Sequence, residues 1–203
     1  MENVFGLILA GGHSSRMGQD KALLQLGNKP LIAHVMDAAK TQCHSVAISS
    51  NSDTPMMQSF GVSVVPDMAA VKHFGPLAAI LTGMQHLRAH HKDCRWLLSL
   101  PTDTPYVPND LIERGLSAAK AENAKVVLAS FGGDLQQAMG LWHVSLYDTL
   151  YNALVADDVR KVMAFVKDIG FATIDFNVPT SKAAININTP EDLAMAAKKY
   201  REE

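Results

Sequence analysis

Apolar and polar positions along the chain follow two alternating rhythms. Val4–Leu9 is a short continuous apolar run that stops at Gly11-Gly12, the pattern of a strand buried on both faces, as in a parallel sheet. Runs at 46–49, 62–65, 96–100, 126–129, 140–144 and 173–176 also read as strands. Between most of them the apolar residues recur at helical spacing. PLIAHVMDAAK opens on Pro30 and GPLAAILTGMQHL carries Pro76, each proline standing where the first turn of a helix tolerates it. Near the end, Thr189 supplies an N-cap, Pro190 a first-turn proline, and Glu191 and Asp192 negative charge at the positive end of the helix dipole. A final helix is therefore predicted over Pro190–Tyr200. Strands alternating with helices point to an α/β fold: a mostly parallel twisted sheet with helices on both faces, a three-layer Rossmann-like arrangement.

Composition narrows this picture. With 203 residues, 48% of them apolar, the chain suits one domain spanning 1–203, because single cores usually stop growing near ~250 residues. No internal repeat, low-complexity tract or Gly/Ser linker marks a second boundary. A formal net charge of -2 gives no overall basic surface, so attraction to phosphate must come from local residues, and nucleic acid is not an expected partner. Cys43 and Cys94 lie far apart and in no CxxC pair; they read as free thiols, not as a disulfide framework or a zinc site. The first residues do not read as a secretory leader, and no apolar run approaches the ~20 residues of a membrane helix. The expectation is a cytoplasmic protein with no membrane partner.

In an open parallel sheet, ligands bind beyond the carboxyl ends of the strands, which singles out AGGHSSRMGQDK, SSNSD and PTDTP. The first matches neither GxGxxG nor GxxxxGK[ST]. Its glycines would still let backbone N–H groups approach anionic oxygens, and Arg16 and Lys21 would add charge-assisted contacts; an ordinary glycine-rich turn with solvated charges is the other reading. Asp103, between Pro101 and Pro105, suits Mg²⁺, which takes few protein ligands and completes its octahedron with phosphate oxygens and water. A turn or capping aspartate fits the same segment. His86 and His90 share a helical face, with His91, Asp93 and Cys94 just beyond. Without the HExxH order, that group reads as a solvated helix end in preference to a zinc site. The methionines read as fillers of core gaps or as surface residues.

LAGGHSSRMGQDKALL, followed by GNKPLIAHV, resembles the signature LAGGxSxRMGxDKxLL of the molybdenum cofactor guanylyltransferases, within the nucleotidyltransferases of Rossmann-like fold. VVPD, FGPLAAIL, PTDTPYVP, VRKVMAFV and NINTPEDL follow in the family's order, so the resemblance spans nearly the whole chain. It implies transfer of GMP from GTP to the phosphate of molybdopterin, with or without its metal attached, pyrophosphate leaving and a guanine dinucleotide cofactor forming. The acceptor oxygen is already anionic, so no Ser-His-Asp or Cys-His arrangement is needed, only positioning and charge neutralisation.

The resemblance also implies roles. The backbone at Leu9, Ala10, Gly11 and Gly12 would meet the guanine nucleotide, Lys21 and Arg16 its phosphates, Asn51 and Asp67 the base or ribose, and Asp103 would hold Mg²⁺ as cofactor. Arg160, Lys161, Asn186 and Asn188 would face the pterin. The nucleotide part would then cover about 1–110 and the pterin part about 111–203. Other proteins of cofactor biosynthesis, and acceptor molybdoenzymes or their chaperones, are the implied protein partners. Two positions depart from the family. Gln137 is followed by Ala138 where proline is usual, and Ser49 stands where a relative carries asparagine, which moves the contact after the second strand to Asn51 or to backbone. Competing readings are a molybdopterin cytidylyltransferase, a sugar-phosphate nucleotidyltransferase and a non-catalytic nucleotide-binding regulator.

Overall fold

The main sheet is built outward from Val4–Leu9, as the apolar pattern predicts. The computed structural model describes residues 2–11, 21–52, 54–72, 74–176 and 186–200, without the side chains of 199 and 200. In chain order its elements are β1 (Val4–Leu9), a short hairpin of β2 (Gln25–Leu26) and β3 (Lys29–Pro30), α1 (Leu31–Gln42), β4 (Ser45–Ser49), α2 (Pro55–Ser59), β5 (Ser63–Val65) and α3 (Pro76–His90). Then come β6 (Trp96–Pro101), α4 (Leu111–Glu122), β7 (Val126–Phe131), β8 (Asp134–His143), α5 (Tyr147–Val155), α6 (Val162–Ile169), β9 (Ala172–Phe176) and α7 (Pro190–Tyr200).

Among the described residues the large sheet runs β5-β4-β1-β6-β8-β7-β9. β5, β4, β1 and β6 are mutually parallel, and β9 runs parallel to β7. β8 is antiparallel to both its neighbours. From β1 the chain steps outward to β4 and β5 on one flank, then crosses back to β6 on the other. The carboxyl ends of β1 and β6 are therefore the point where strand order reverses, the place where open α/β sheets bind their ligands.

Alternate side chains of β1 serve two cores. Val4 and Ile8 pack with α1, α2 and α4, including Ile32, Val35, Met57 and Leu111. Phe5 and Leu7 pack with α3, α5 and α6, including Leu77, Ile80, Leu150 and Phe165. Each such side chain, taken fully from water, contributes about 1.5–3 kcal/mol, so the sheet centre is firmly held and can carry polar groups at its rim. A smaller cluster seats α7: Ala196, with Leu193 and Ala197, covers Leu24, Leu26, Leu31 and Ile187. The chain's last helix thus rests on the segment that directly follows the first loop.

Three features differ from the sequence reading. The strand expected at 140–144 begins at Asp134, because Gly132 and Gly133, at φ 57° and 87°, make the tight turn of a β7–β8 hairpin that a parallel pattern conceals. The β2–β3 hairpin turns at Gly27, φ 64°, inside a stretch that reads only as the approach to a helix. Pro30 ends β3 and caps α1 in an extended conformation instead of lying inside its first turn. Pro76 opens α3, and Pro190 and its acidic neighbours open α7, as expected.

Candidate active site

Hydrogen bonds just past the strand ends stitch the carboxyl ends of β4, β1 and β6 together. Ala10 N donates to Ser49 O at 2.9 Å, joining β1 to β4. Thr102 reaches Leu9 O twice, from its backbone N at 3.4 Å and from Oγ1 at 3.3 Å, joining β6 to β1. Leu9, Ala10 and Gly11 therefore lie at these strand ends, with the Ala10 N–H already engaged. Gly12 and Arg16 fall outside the described residues.

Four side chains from distant parts of the sequence converge between these loops. Lys21 Nζ donates to Asp103 Oδ2 at 3.0 Å and to Asn188 Oδ1 at 2.7 Å. With its amide nitrogen turned to Asp103, the orientation that pairs donor with acceptor, Asn186 lies 3.1 Å from both Oδ1 and Oδ2. Thr104 Oγ1 adds a donor to Oδ1 at 3.3 Å, and Ile187 N donates to the Asp103 carbonyl at 2.9 Å. The side chains of Lys21 and Asp103 are only 15% and 29% exposed, so this ion pair is better shielded from solvent than a surface bridge. Asn186 and Asn188, which the resemblance assigns to the pterin side, are thus bonded to Asp103 and Lys21 themselves.

A second pair sits beyond β4 and β5. Asn51 Nδ2 donates to Asp67 Oδ2 at 2.8 Å, and Asp67 N donates to Asn51 Oδ1 at 3.0 Å. Sequence reasoning linked the two by role; the parallel pairing of Ser49 with Val65 makes them neighbours. Arg160 lies elsewhere, its Nε 2.8 Å from Asp158 Oδ1 and its guanidinium 3.8 Å above the ring centre of Phe74. That stack ties VRKV to the FGPL segment ahead of α3. Lys161 occupies the N-cap position of α6. The structure gives Arg160 and Lys161 no hydrogen bond to the Lys21–Asp103 group.

The histidines gather at the opposite, amino-terminal end of the strands. His86 and His90 ring centres are 4.6 Å apart, and both His86 and His91 lie against Phe5, at 5.8 and 4.9 Å. Among the described residues no group of three His, Cys, Asp or Glu side chains converges as a metal-ligand set. Burial first, then mutual repulsion with His90 and His91, lowers the His86 pKa. Cys43 and Cys94 are free thiols as expected, and burial pushes the Cys43 thiol up to about 12, leaving it inert as a nucleophile.

Residues 6–169, most of the chain, match the MobA-like NTP transferase domain. The chain belongs to this family. A molybdenum cofactor guanylyltransferase of Bradyrhizobium sp. (strain ORS 278) is 37% identical over 195 residues, covering 95% of this chain and 91% of its own length. The molybdopterin-guanine dinucleotide biosynthesis protein A of Archaeoglobus fulgidus superposes with a TM-score of 0.76 at 17% identity, covering 98% of this chain and 100% of that one. A Mycobacterium tuberculosis protein crystallised with manganese superposes at 0.67 and 14% identity, covering 97% and 98%. At these identities the solved structures speak for the fold alone.

For a nucleotidyltransferase the arrangement is chemically apt. Lys21 is paired with Asp103, and a triphosphate at this end of the sheet would offer it stronger acceptors than a lone carboxylate. Asp103 would then present hard carboxylate oxygens. Such a hard oxygen set suits a divalent cation that takes its remaining ligands from phosphate and water. The sequence signal that could have tied Asn188 to Lys21 is slight. They stand 167 positions apart, and only the fold joins them.

Proposed function

We propose that this nucleotidyltransferase transfers GMP from GTP to the terminal phosphate of molybdopterin. An oxygen of that phosphate forms a bond to the α-phosphorus, the bond from the α-phosphorus to the bridging oxygen of the β-phosphate breaks, and pyrophosphate leaves. The observation that carries this reading is the Lys21–Asp103 pair at 3.0 Å, set at the reversal point of the sheet beside the signature loop. The preference for GTP over CTP is supported by relatives named as guanylyltransferases, since the fold alone does not choose the base.

Lys21 would exchange its bond to Asp103 for the phosphate oxygens and draw off the negative charge that grows on the leaving group. Asn51 and Asp67, already locked to each other, would offer their remaining amide hydrogen and carboxylate oxygen to the base or ribose. Asn186 keeps both oxygens of Asp103 in place. Asp103 is the residue that would hold Mg²⁺, which when bound supplies charge neutralisation across the reacting phosphates. Arg16 would add a second cation from the first loop. Arg160 and Lys161, on the carboxyl-terminal part of the chain at about 111–203, would meet the pterin phosphate, and about 1–110 would carry the nucleotide. No described helix is long and apolar enough to cross a membrane, and we place the reaction in the cytoplasm. The partners would be the proteins that supply molybdopterin and the molybdoenzymes or chaperones that take up the product.

Pyrophosphate release measured with GTP and with CTP, each with molybdopterin and Mg²⁺, tests this reading. GTP should be the better substrate. A preference for CTP would point to the cytidylyl alternative, and GTP binding without pyrophosphate would revive the non-catalytic one.

A further inference from the structure

Asn188 holds Lys21 and is itself held. Its Oδ1 accepts from Lys21 Nζ, while its backbone N–H donates to Asp192 Oδ2 at 2.9 Å. The same carboxylate oxygen accepts from Thr189 N at 2.9 Å, and Asp192 N donates back to Thr189 Oγ1 at 3.2 Å. This is a capping box that reaches one residue beyond the usual reciprocal pair. A box confined to Thr189 and Asp192 would satisfy the start of α7 equally well; the extra bond fixes the peptide from which the Asn188 side chain extends. Two more contacts anchor the same short segment. Ile187 N donates to the Asp103 carbonyl, and the Ile187 side chain, fully buried, packs with Leu24, Leu26 and Leu31 under α7.

We propose that Asp192 is a positioning residue for the transfer: by fixing the Asn188 peptide, it sets the Lys21 ammonium beside Asp103, where the triphosphate is received. This inference rests on the reading of Lys21 as a phosphate ligand given above. The Asn188 N–H, before any other group, holds the Asp192 carboxyl below the usual carboxylate range, with Thr189 and the Lys21 ammonium acting in the same direction. Asp192 is therefore ionised at neutral pH. If its role were only to cap α7, its loss would act on stability and leave the kinetics alone.

A double-mutant cycle on the full chain separates the two roles. Pyrophosphate release is followed against GTP concentration, with molybdopterin and Mg²⁺ present, for Asp192→Ala, Asn188→Ala and the double variant, beside Asp192→Asn and Ala194→Gly. Ala194 is exposed in the middle of α7, so its glycine variant weakens the helix without touching the box. Asp192→Ala should lower kcat/KM for GTP about tenfold, the scale of one hydrogen bond to a charged group. The double variant should be no worse than Asn188→Ala alone, because the first residue acts through the second. Asp192→Asn, which keeps an oxygen acceptor, should recover most of the loss, and Ala194→Gly should lower the thermal midpoint with kcat/KM unchanged. Additive losses, wild-type kinetics in Asp192→Ala, no recovery in Asp192→Asn, or a kinetic loss in Ala194→Gly would each overturn the proposal. If Asp192→Ala does not fold, Asp192→Ser takes its place with the same expected result, its shorter side chain giving up the bond to Asn188. Lys21→Ala in the same series separates the levels. If it leaves kcat/KM for GTP unchanged, the reading of Lys21 falls; if it impairs turnover while the Asp192 variants do not, only the positioning role falls.

Discussion

Lys21 and Asp103 meet at 3.0 Å from positions 82 apart in the chain, and their chemistry predicts unequal consequences of losing each. On the proposed reading Lys21 is one preorganised cationic donor to the phosphates, and Lys21→Ala should reduce turnover about a hundredfold or more. Asp103→Ala removes the proposed metal ligand and leaves Lys21 bonded to Asn188, so turnover should fall at least as far while the thermal midpoint shifts little. Steady-state kinetics in Mg²⁺ beside a thermal melt checks both, and a fully active Asp103→Ala enzyme would remove the metal assignment. These residues were visible in the sequence because each lies in a polar segment that follows an apolar strand, Asp103 just past β6 and Lys21 at the far end of the segment after β1. What Asn186 and Asn188 touch was not visible: their segment lies beyond the last strand of the sheet, and nothing local signals that it folds back to Lys21 and Asp103.

At the scale of elements, the parallel strands and the proline-opened helices were legible because their signals are local: continuous apolar runs, Pro76 and the Thr189 box. The antiparallel strand β8 was only half legible. Its buried part, 139–142, is apolar, but its first residues, Asp134 to Ala138, are exposed or half-buried and carry no strand pattern of their own. A register shift at Leu128/Ala129 separates Gln136 from Gly140 on the β8 side, and inside it the Ala138 carbonyl accepts from Ser99 Oγ at 2.8 Å. Ala138, where the family usually has proline, thus contributes a backbone acceptor in an irregular stretch, and Ser99 in turn accepts from the buried Trp142 Nε1 at 2.9 Å. Gly140 closes this irregularity. A Cβ there would press into the Val127 carbonyl oxygen and lie 3.3 Å from Leu128 Cα, neither of which can swing aside. Gly140→Ala should therefore destabilise the fold by about 1–3 kcal/mol, read as a lower denaturant midpoint with an unchanged slope.

For the whole molecule, the histidines at the amino-terminal end of the sheet set a pH dependence remote from the site. Burial, the largest cause at each, lowers the pKa of His86, His91 and His143. A histidine whose folded pKa is lowered takes up protons in the unfolded chain first. Its stabilising contribution is then complete above its ordinary value of about 6.5 and is lost as pH falls from there through the folded value. The thermal midpoint should drop between about pH 7 and about pH 5, and His86→Phe should make that drop shallower. Asp175 and Asp192, whose carboxyls are lowered chiefly by the Gly133 and Asn188 N–H groups, lose their contribution only at lower pH, below about 4. A midpoint flat from pH 7 to 5 would contradict the packing of those rings.

The same architecture, with cationic and carboxylate groups gathered at one rim of the sheet and none of the nucleophile–base pairs of covalent catalysis required, is suited to a direct transfer between two phosphates. The most direct measurement follows the phosphorus itself. The chain is incubated with molybdopterin, Mg²⁺ and GTP labelled at its α-phosphorus, and the products are separated. The label should appear in a pterin dinucleotide, in equal amount to the unlabelled pyrophosphate released, and Lys21→Ala and Asp103→Ala should both suppress it. Label found only in unreacted GTP or free GMP, or a labelled dinucleotide formed more readily from CTP, would contradict guanylyl transfer at this site.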